Sequence, residues 1–397
     1  MKQRRAGWVV VASLVGCGDN LTTVGPPVER ADTLLVVAHP DDDLIFMQPE
    51  LLLALRAGTS TTVYVTTAGA GRATFLFAAA RTAYGAVAGS QDWECGTLEL
   101  EVASGEHCRL RDRPVSLINL YLPDGGIDGD RRDTLLHLVD GTVDSLSVQG
   151  PVGGTVTMET VIEGLADVIE VTAPVELHTL DLSAAHGRDH SSHLFVASFV
   201  LWAAARVGFA GAMTWHRGYN VAVEAPTLTA EELAAATSML GYYEACADGC
   251  GPCGSSCAVI NPAHETWLGR QYASTRVSEV SGRLRAEDRC LTDALELGDC
   301  AAAPTVELDR AGHLLLGGRC LATTASGDVG LETCGAVPEQ YWAFDTEGYL
   351  WNGRPPEPSA NMAYDHVRCL GSAPEVGAPT CGDQLRPRWQ LDQGPAR

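Results

Sequence analysis

The sequence predicts a doubly wound, mostly parallel α/β sheet domain followed by an all-β domain. Three observations predict it. An apolar run, Leu34 to Ala38, reads as a strand buried on both faces and ends abruptly in His39-Pro40-Asp41-Asp42-Asp43. Strand-like and helix-compatible stretches alternate from roughly residue 31 to residue 275. From 280 to 393 the chain instead repeats a Cys-Leu unit three times.

The elements follow in order. Pro40 stops the first strand, and Leu44 to Leu55 is helix-compatible. Thr62 to Thr67 is a second strand, Ala68 to Gly71 a turn, and Ala73 to Ala88 an Ala-rich helix. Val115 to Tyr121 is a third strand, ended by Leu122-Pro123-Asp124-Gly125-Gly126. Thr157 to Ile169 carries apolar residues at helical spacing, and Val175 to Leu180 is strand-like. Ser191 to Ala205 and Thr229 to Tyr243 complete the set as helices, the second with a Thr/Glu-rich start.

The motif after the first strand packs one imidazole and three carboxylates into five residues. Open α/β sheets bind their ligands at the carboxyl ends of strands. A hydrolytic zinc site takes two His and one carboxylate, leaves room for water, and sets a further carboxylate beside it as base. His39 and Asp42 supply two ligands in that scheme, and Asp41 faces the water. The plain alternative is a turn whose Asp residues only cap a helix. A second cluster, His186-Gly187-Arg188-Asp189-His190-Ser191-Ser192-His193, outweighs it by following another strand into a helix. His190 and His193, three apart at a helix start, can face one point.

Together these clusters resemble the PIG-L (LmbE-like) family of zinc-dependent N-acetylglucosaminyl deacetylases. The matching pieces are Ala38-His39-Pro40-Asp41-Asp42, Leu122-Pro123-Asp124-Gly125, and His190-Ser191-Ser192-His193 for the family's His-x-x-His, within residues 32 to about 220. The resemblance implies a Rossmann-like PIG-L fold and Zn2+ held by His39, Asp42 and His193. It makes Asp41 the general base, sets His190 near the oxyanion, and puts Asp124 against the substrate. A competing register makes Asp189-His190 the ligand-bearing pair. The sequence departs from the family at Ser192, where an Asp is common, and at Leu76-Phe77, where an Arg-Glu pair is expected. The implied reaction is hydrolysis of the N-acetyl group of an N-acetylglucosamine-containing glycan or glycoconjugate. The alternatives are a lapsed glycan-binding lipoprotein and a deacylase of another N-acyl sugar compound, such as a glycolipid or antibiotic.

Charge and leader bound the partners. With Lys+Arg 27 against Asp+Glu 50, the net charge of −23 argues against nucleic acid and anionic headgroups. Lys2, Arg4 and Arg5 precede a short apolar core, Trp8 to Val15, so the first residues read as an export signal. Leu14-Val15-Gly16-Cys17 resembles a bacterial lipobox, which implies a signal peptide at 1–17 and lipidation of Cys17. Residues 18–30, with Pro26-Pro27, read as a tether. The expected protein is exported and held at the membrane by a lipid anchor only. Twelve further Cys suit an oxidising compartment. Cys95 and Cys108 form an isolated pair, and Cys246, Cys250, Cys253 and Cys257 favour two local disulfides over a metal cluster.

The C-terminal repeat is regular. Cys290-Leu291, Cys320-Leu321 and Cys369-Leu370 are each followed by a second Cys (Cys300, Cys334, Cys381), and eight residues on stands Leu308, Trp342 or Trp389. Gly282, Gly312 and Gly348 each open a Gly-x-Leu before the unit. This resembles the ricin B-type β-trefoil lectin module, with its Gln-x-Trp as Gln340-Tyr341-Trp342. The resemblance implies disulfides within repeats, Cys290–Cys300, Cys320–Cys334 and Cys369–Cys381. It also implies a glycan ligand, with Gln340 and Trp342 as contacts. The alternative there is that the Trp residues plug the core.

Overall fold

The computed structural model describes residues 24–67, 70–98, 105–359, 366–371, 376–377, 381 and 388–392. The signal peptide and Cys17 lie outside the described residues. One ten-stranded sheet dominates the protein. Its strands are β1 (Thr33–Val37), β2 (Ser60–Thr67), β3 (Trp93–Thr97), β4 (Glu106–Leu110), β5 (Val115–Pro123), β6 (Glu176–Leu180), β7 (Ala212–His216), β8 (Ala273–Val277), β9 (Trp342–Asp345) and β10 (Leu350–Asn352). Across the sheet the order is β10-β9-β8-β7-β6-β1-β2-β5-β4-β3.

The centre, β7-β6-β1-β2-β5, is parallel. The strands beyond it on each side pair antiparallel. The sheet is therefore mixed rather than mostly parallel. In β1, β2 and β5 every residue is buried, as strands covered on both faces must be. The chain leaves β1 for β2 on one side and later returns as β6 on the other. That reversal opens a crevice at the carboxyl ends of β1 and β6, the switch point where such sheets bind ligands.

The helix-compatible run after β1 is two helices, Asp42–Phe46 and Glu50–Ala57. Pro49 has no N–H to continue the first, so the axis breaks there. The Ser191–Arg206 helix packs on β1 and β6. Its residues 191 to 205 are all buried, which fits its apolar sequence all round. C-terminal residues cover it: the His366 ring stacks on Phe195 at 4.0 Å, and a Cβ at Gly353 would collide with Ala205. Residues 24–30 are not a free tether, because Gly25 N–H donates to the Thr97 carbonyl and the His107 ring bonds the Pro26 carbonyl.

Beyond β8 the chain is strand-rich. Its own core holds Leu284, Val306, Leu308, Leu314, Leu321, Trp342, Leu350, Leu370 and Trp389. The repeat is written in hydrogen bonds. Trp342 Nε1 donates to the Leu321 carbonyl at 2.9 Å, and Trp389 Nε1 donates to the Leu370 carbonyl at 2.7 Å. The same two residues' backbone N–H groups reach the Gly312 and Gly348 carbonyls, each at 2.7 Å. Leu308 fills the corresponding place in the first repeat. This arrangement fits a trefoil. Disulfides join Cys290–Cys300, Cys320–Cys334 and Cys369–Cys381, and also Cys95–Cys108, Cys246–Cys253 and Cys250–Cys257. Among the described residues no helix is long and apolar enough to cross a membrane.

The two regions share strands. β8 pairs with β7 on one edge and with β9 on the other. Residue 275, the expected end of the first unit, lies inside β8. Arg276 ties the join, donating to the Phe209 carbonyl at 2.6 Å and to the Tyr341 hydroxyl at 3.0 Å.

Candidate metal centre

Both His clusters reach the switch point, one from β1 and one from β6. Asp42 folds back on its own turn and accepts the His39 N–H at 2.6 Å. Its Oδ2 lies 3.3 Å from His39 Nδ1, and its Oδ1 lies 3.1 Å from His193 Nε2. One atom from each of these residues falls within 4.8 Å of the others. Burial opposes charge here, but His193 and His39 hold the Asp42 carboxyl far below its ordinary range.

The two downstream imidazoles are set differently. His193 Nδ1 lies 2.9 Å from Asp189 Oδ1, an oxygen that also accepts the N–H groups of His190 and Tyr219. A carboxylate so placed accepts, so Nδ1 carries the proton and the Nε2 lone pair turns to Asp42. Nε2 is buried and has no hydrogen-bond partner. A lone pair facing a carboxylate at 3.1 Å needs a cation between them. Without a metal a proton takes that place: burial disfavours it, but Asp42 and Asp189 raise the His193 pKa to about 9. His190 is the reverse. It caps the Ser191–Arg206 helix, its Nδ1 accepting the Ser192 N–H at 3.1 Å. The ring proton then belongs on Nε2, which points at Asp124 Oδ1 3.4 Å away. Burial, then His39 and His193, lower its pKa to about 3, so this imidazole is neutral.

Asp124 arrives from the end of β5. Between β2 and β5 the register slips, with Tyr64 opposite Asn119 and Thr66 opposite Leu122. Tyr121 sits in the bulge at φ 55°, a left-handed conformation a Tyr rarely adopts. The bulge turns the strand end toward the centre, and Asp124 Oδ1 comes within 3.7 Å of His39 Nε2. His39, Asp124 and His190 form a second, overlapping donor group.

The three adjacent carboxylates part company. Asp41 lines a pocket of about 270 Å³ with His39, Asp124, His190, Tyr219 and Tyr243. Burial and the neighbouring Asp42 raise its pKa, against the pull of His39, His264 and a Tyr243 hydrogen bond. Asp43 faces inward, hydrogen-bonded by Tyr64 at 3.1 Å and by Tyr84, and burial raises it to about 7. A larger groove of about 800 Å³ lies at the other end of the sheet, beside Pro174 and Arg310, and no imidazole or thiol lines it.

A family comparison bears on this geometry. Residues 34–204 match the PIG-L family, described as GlcNAc-PI de-N-acetylase. The PIG-L match contains both His clusters. Two solved structures resemble parts of the chain. The Vibrio vulnificus hemolysin/cytolysin β-trefoil lectin with bound N-acetyl-D-lactosamine is 19% identical over 30% of this chain and 96% of that one, TM-score 0.23. A conserved protein from Thermus thermophilus is 14% identical over 61% of this chain and 92% of that one, TM-score 0.33. No curated protein matches.

The expected site residues divide. His39, Asp41, Asp42, Asp124, His190 and His193 converge. Gln340 and Trp342 do not reach a ligand surface: both are buried, and Gln340 bonds the Gly335 N–H and the Thr333 carbonyl inside its own loop. In place of the expected sugar contact, they are core plugs. Leu76 lines the pocket and Phe77 is buried behind it, while Arg72, one turn earlier, brings a guanidinium to the rim. The sequence reading missed Asp189 as the support of His193, although Asp-x-x-x-His at a helix start is a local signal for it. It also missed Tyr219, which packs on the His193 ring at 4.9 Å, and Tyr243.

Proposed function

We propose that this protein is a zinc-dependent hydrolase that removes the N-acetyl group from an N-acetylglucosamine-containing glycan or glycoconjugate. The observation that carries the reading is the buried, unpartnered His193 Nε2 aimed at Asp42 beside His39, with Asp41 in the adjoining pocket. Two imidazoles and one carboxylate fit Zn2+, and Asp189 behind His193 is the outer carboxylate such ligands commonly have. His39, Asp42 and His193 would hold the ion. When bound, zinc supplies Lewis-acid polarisation and a more acidic water.

The chain's own residues do the rest. Asp41, its pKa raised and its carboxyl open to the pocket, takes the proton of the attacking water. His190, neutral and protonated on Nε2, donates a hydrogen bond toward the acyl oxygen as charge develops there. The proton held by Asp41 then passes to the leaving amine. The Nδ1 bond that caps the helix makes His190 a donor and a poor ligand, which supports His193 as third ligand over the Asp189-His190 register.

The proposal includes carbohydrate binding by the trefoil-like region and a lipid anchor at Cys17. Cys17→Ser should move the protein from the membrane fraction to the soluble fraction with its catalysis intact. The test of function is acetate release by the signal-less protein from chito-oligosaccharides, peptidoglycan fragments and N-acetylated glycolipids, measured beside zinc content. One zinc per chain with acetate release on at least one of these is expected. A metal-free, inactive protein that refuses added zinc would sink the reading.

A further inference from the structure

The pocket beside the metal centre has a second wall, which touches the mechanism only through Asp41, where Tyr243 hydrogen-bonds the carboxyl and His264 pulls on it. The wall is formed by Tyr243, Asn261 and His264, with Arg72 and Asp248 at the rim. Its centre is an oriented imidazole. His264 stands in the Pro262–Leu268 helix, and its Nδ1 lies 2.7 Å from Glu244 Oε1. Glu244 is 2% exposed, and both its oxygens also accept the Asn261 N–H, at 3.0 and 2.9 Å. A buried carboxylate already accepting one donor leaves His264 Nδ1 as the other donor. The Nε2 lone pair is then the free face of the ring, and among the described residues it has no hydrogen-bond partner.

We propose that His264 is a substrate-binding residue whose Nε2 accepts a hydrogen bond from a hydroxyl of the sugar ring. Glu244 is its positioning residue, fixing the tautomer that makes Nε2 an acceptor. This rests on the deacetylase reading for its orientation. An N-acetyl group directed at His39, Asp41 and His190 leaves the rest of the sugar against this second wall. The chemistry there suits a polyol: one acceptor imidazole, the Asp248 carboxylate and Arg72 guanidinium 3.9 Å apart at the rim, and the apolar side chain of Leu76. Tautomer control by a buried carboxylate commonly fixes which ring nitrogen meets a ligand. A site built around a substrate hydroxyl discriminates strongly against analogues lacking it.

The test reads the imidazole directly. Full-length zinc-loaded protein labelled with 15N-histidine gives long-range 1H–15N spectra in which His264→Gln identifies the His264 resonances. Wild-type His264 should show the Nδ1–H tautomer, and N-acetyl-D-glucosamine should move its Nε2 resonance upfield. N-acetylethylamine, which has the amide but no hydroxyl, should leave it in place. Glu244→Gln should shift the tautomer ratio toward Nε2–H. In kinetics, His264→Gln should raise KM for N,N′-diacetylchitobiose about tenfold, the value of one hydrogen bond, with zinc content held and the loss falling on KM more than on kcat. An unmoved Nε2 resonance with added sugar, or equal movement with both probes, overturns the inference. Acetate release absent from every substrate while the resonance still moves would defeat the deacetylase reading and leave this one standing. Turnover with an unmoved resonance does the opposite.

Discussion

The candidate metal centre and the C-terminal repeat are both built from short, conspicuous motifs, yet their polar atoms end in opposite conditions. Among the described residues of the repeat, each marked polar group closes on the protein itself. Trp342 and Trp389 spend their indole N–H on Leu321 and Leu370 carbonyls, and Gln340 ties its own loop. At the switch point the marked groups are left facing one another, with the buried His193 Nε2 and the Asp42 carboxylate 3.1 Å apart across the space a cation would fill. Buried polar groups ordinarily find partners inside the protein. A motif whose polar atoms are all satisfied internally therefore explains a fold. One whose atoms converge unsatisfied asks for something from outside.

Substitutions at the metal centre should show the largest effects. Asp42→Ala and His193→Ala should empty the site, since a three-ligand zinc site reduced to two holds the ion poorly. Asp41→Asn should keep one zinc per chain and lose ~10²–10⁴-fold in turnover, the usual worth of a general base. His190→Ala should also keep the metal, with a loss of ~10²–10³-fold for one oxyanion donor. Zinc analysis beside turnover sorts the four. A metal-free His190→Ala with a metallated His193→Ala would reverse the assignment.

The repeat should answer in stability instead. Trp342→Ala deletes a fully buried indole, worth ~3–5 kcal/mol in a core that cannot collapse around the gap. The denaturation midpoint of the strand-rich region should fall, while zinc content and turnover per folded molecule hold. A variant as stable as wild type but unable to bind glycan would show that Trp342 does work at a ligand surface after all.

The smallest effect belongs to the contact between the two regions. His186 Nδ1 meets Asp181 Oδ2 at 2.7 Å, and its Nε2 meets Glu347 Oε2 at 3.0 Å. Asp181 and then Glu347, against burial, raise the His186 pKa to about 9. The folded value lies above the unfolded value of ~6.5, so folding favours the protonated ring. Its contribution is complete below about pH 6.5 and fades as pH rises through about 9, on the order of 1–2 kcal/mol. Glu347→Gln should therefore cost most thermal stability near pH 6 and least near pH 10. A cost independent of pH would mean the bridge is neutral.

What the sequence revealed was what local pattern encodes. The apolar runs of β1, β2, β5 and β6 and the helix periods placed most central elements, and the trefoil resemblance anticipated the paired disulfides of the repeat. The His39-Pro40-Asp41-Asp42 and His190-Ser191-Ser192-His193 motifs were visible because their residues are neighbours in the chain. The β3–β4 hairpin went unread, because Trp93–Thr97 is half exposed and has no clean alternation. The mixed character of the sheet was equally hidden, since antiparallel β8 and β9 are fixed by partners far away in sequence. Glu244 and His264 are twenty residues apart across a disulfide-tied loop, so no period links them. The depth of Trp342 was open between two readings, and only packing decides it.

β8 is held along both edges, by β7 of the sheet's parallel centre and by β9 of the repeat. Its strand-to-strand bonds make the attachment a seam instead of a hinge. Cutting the chain after it would leave a raw margin of N–H and C=O groups, a template for sticking to other chains. The same cut would strip the cover from Phe195, Trp202 and Ala205. Either region expressed alone should therefore aggregate at concentrations where the whole chain stays dispersed, and the two behave as one object in expression as well as in folding.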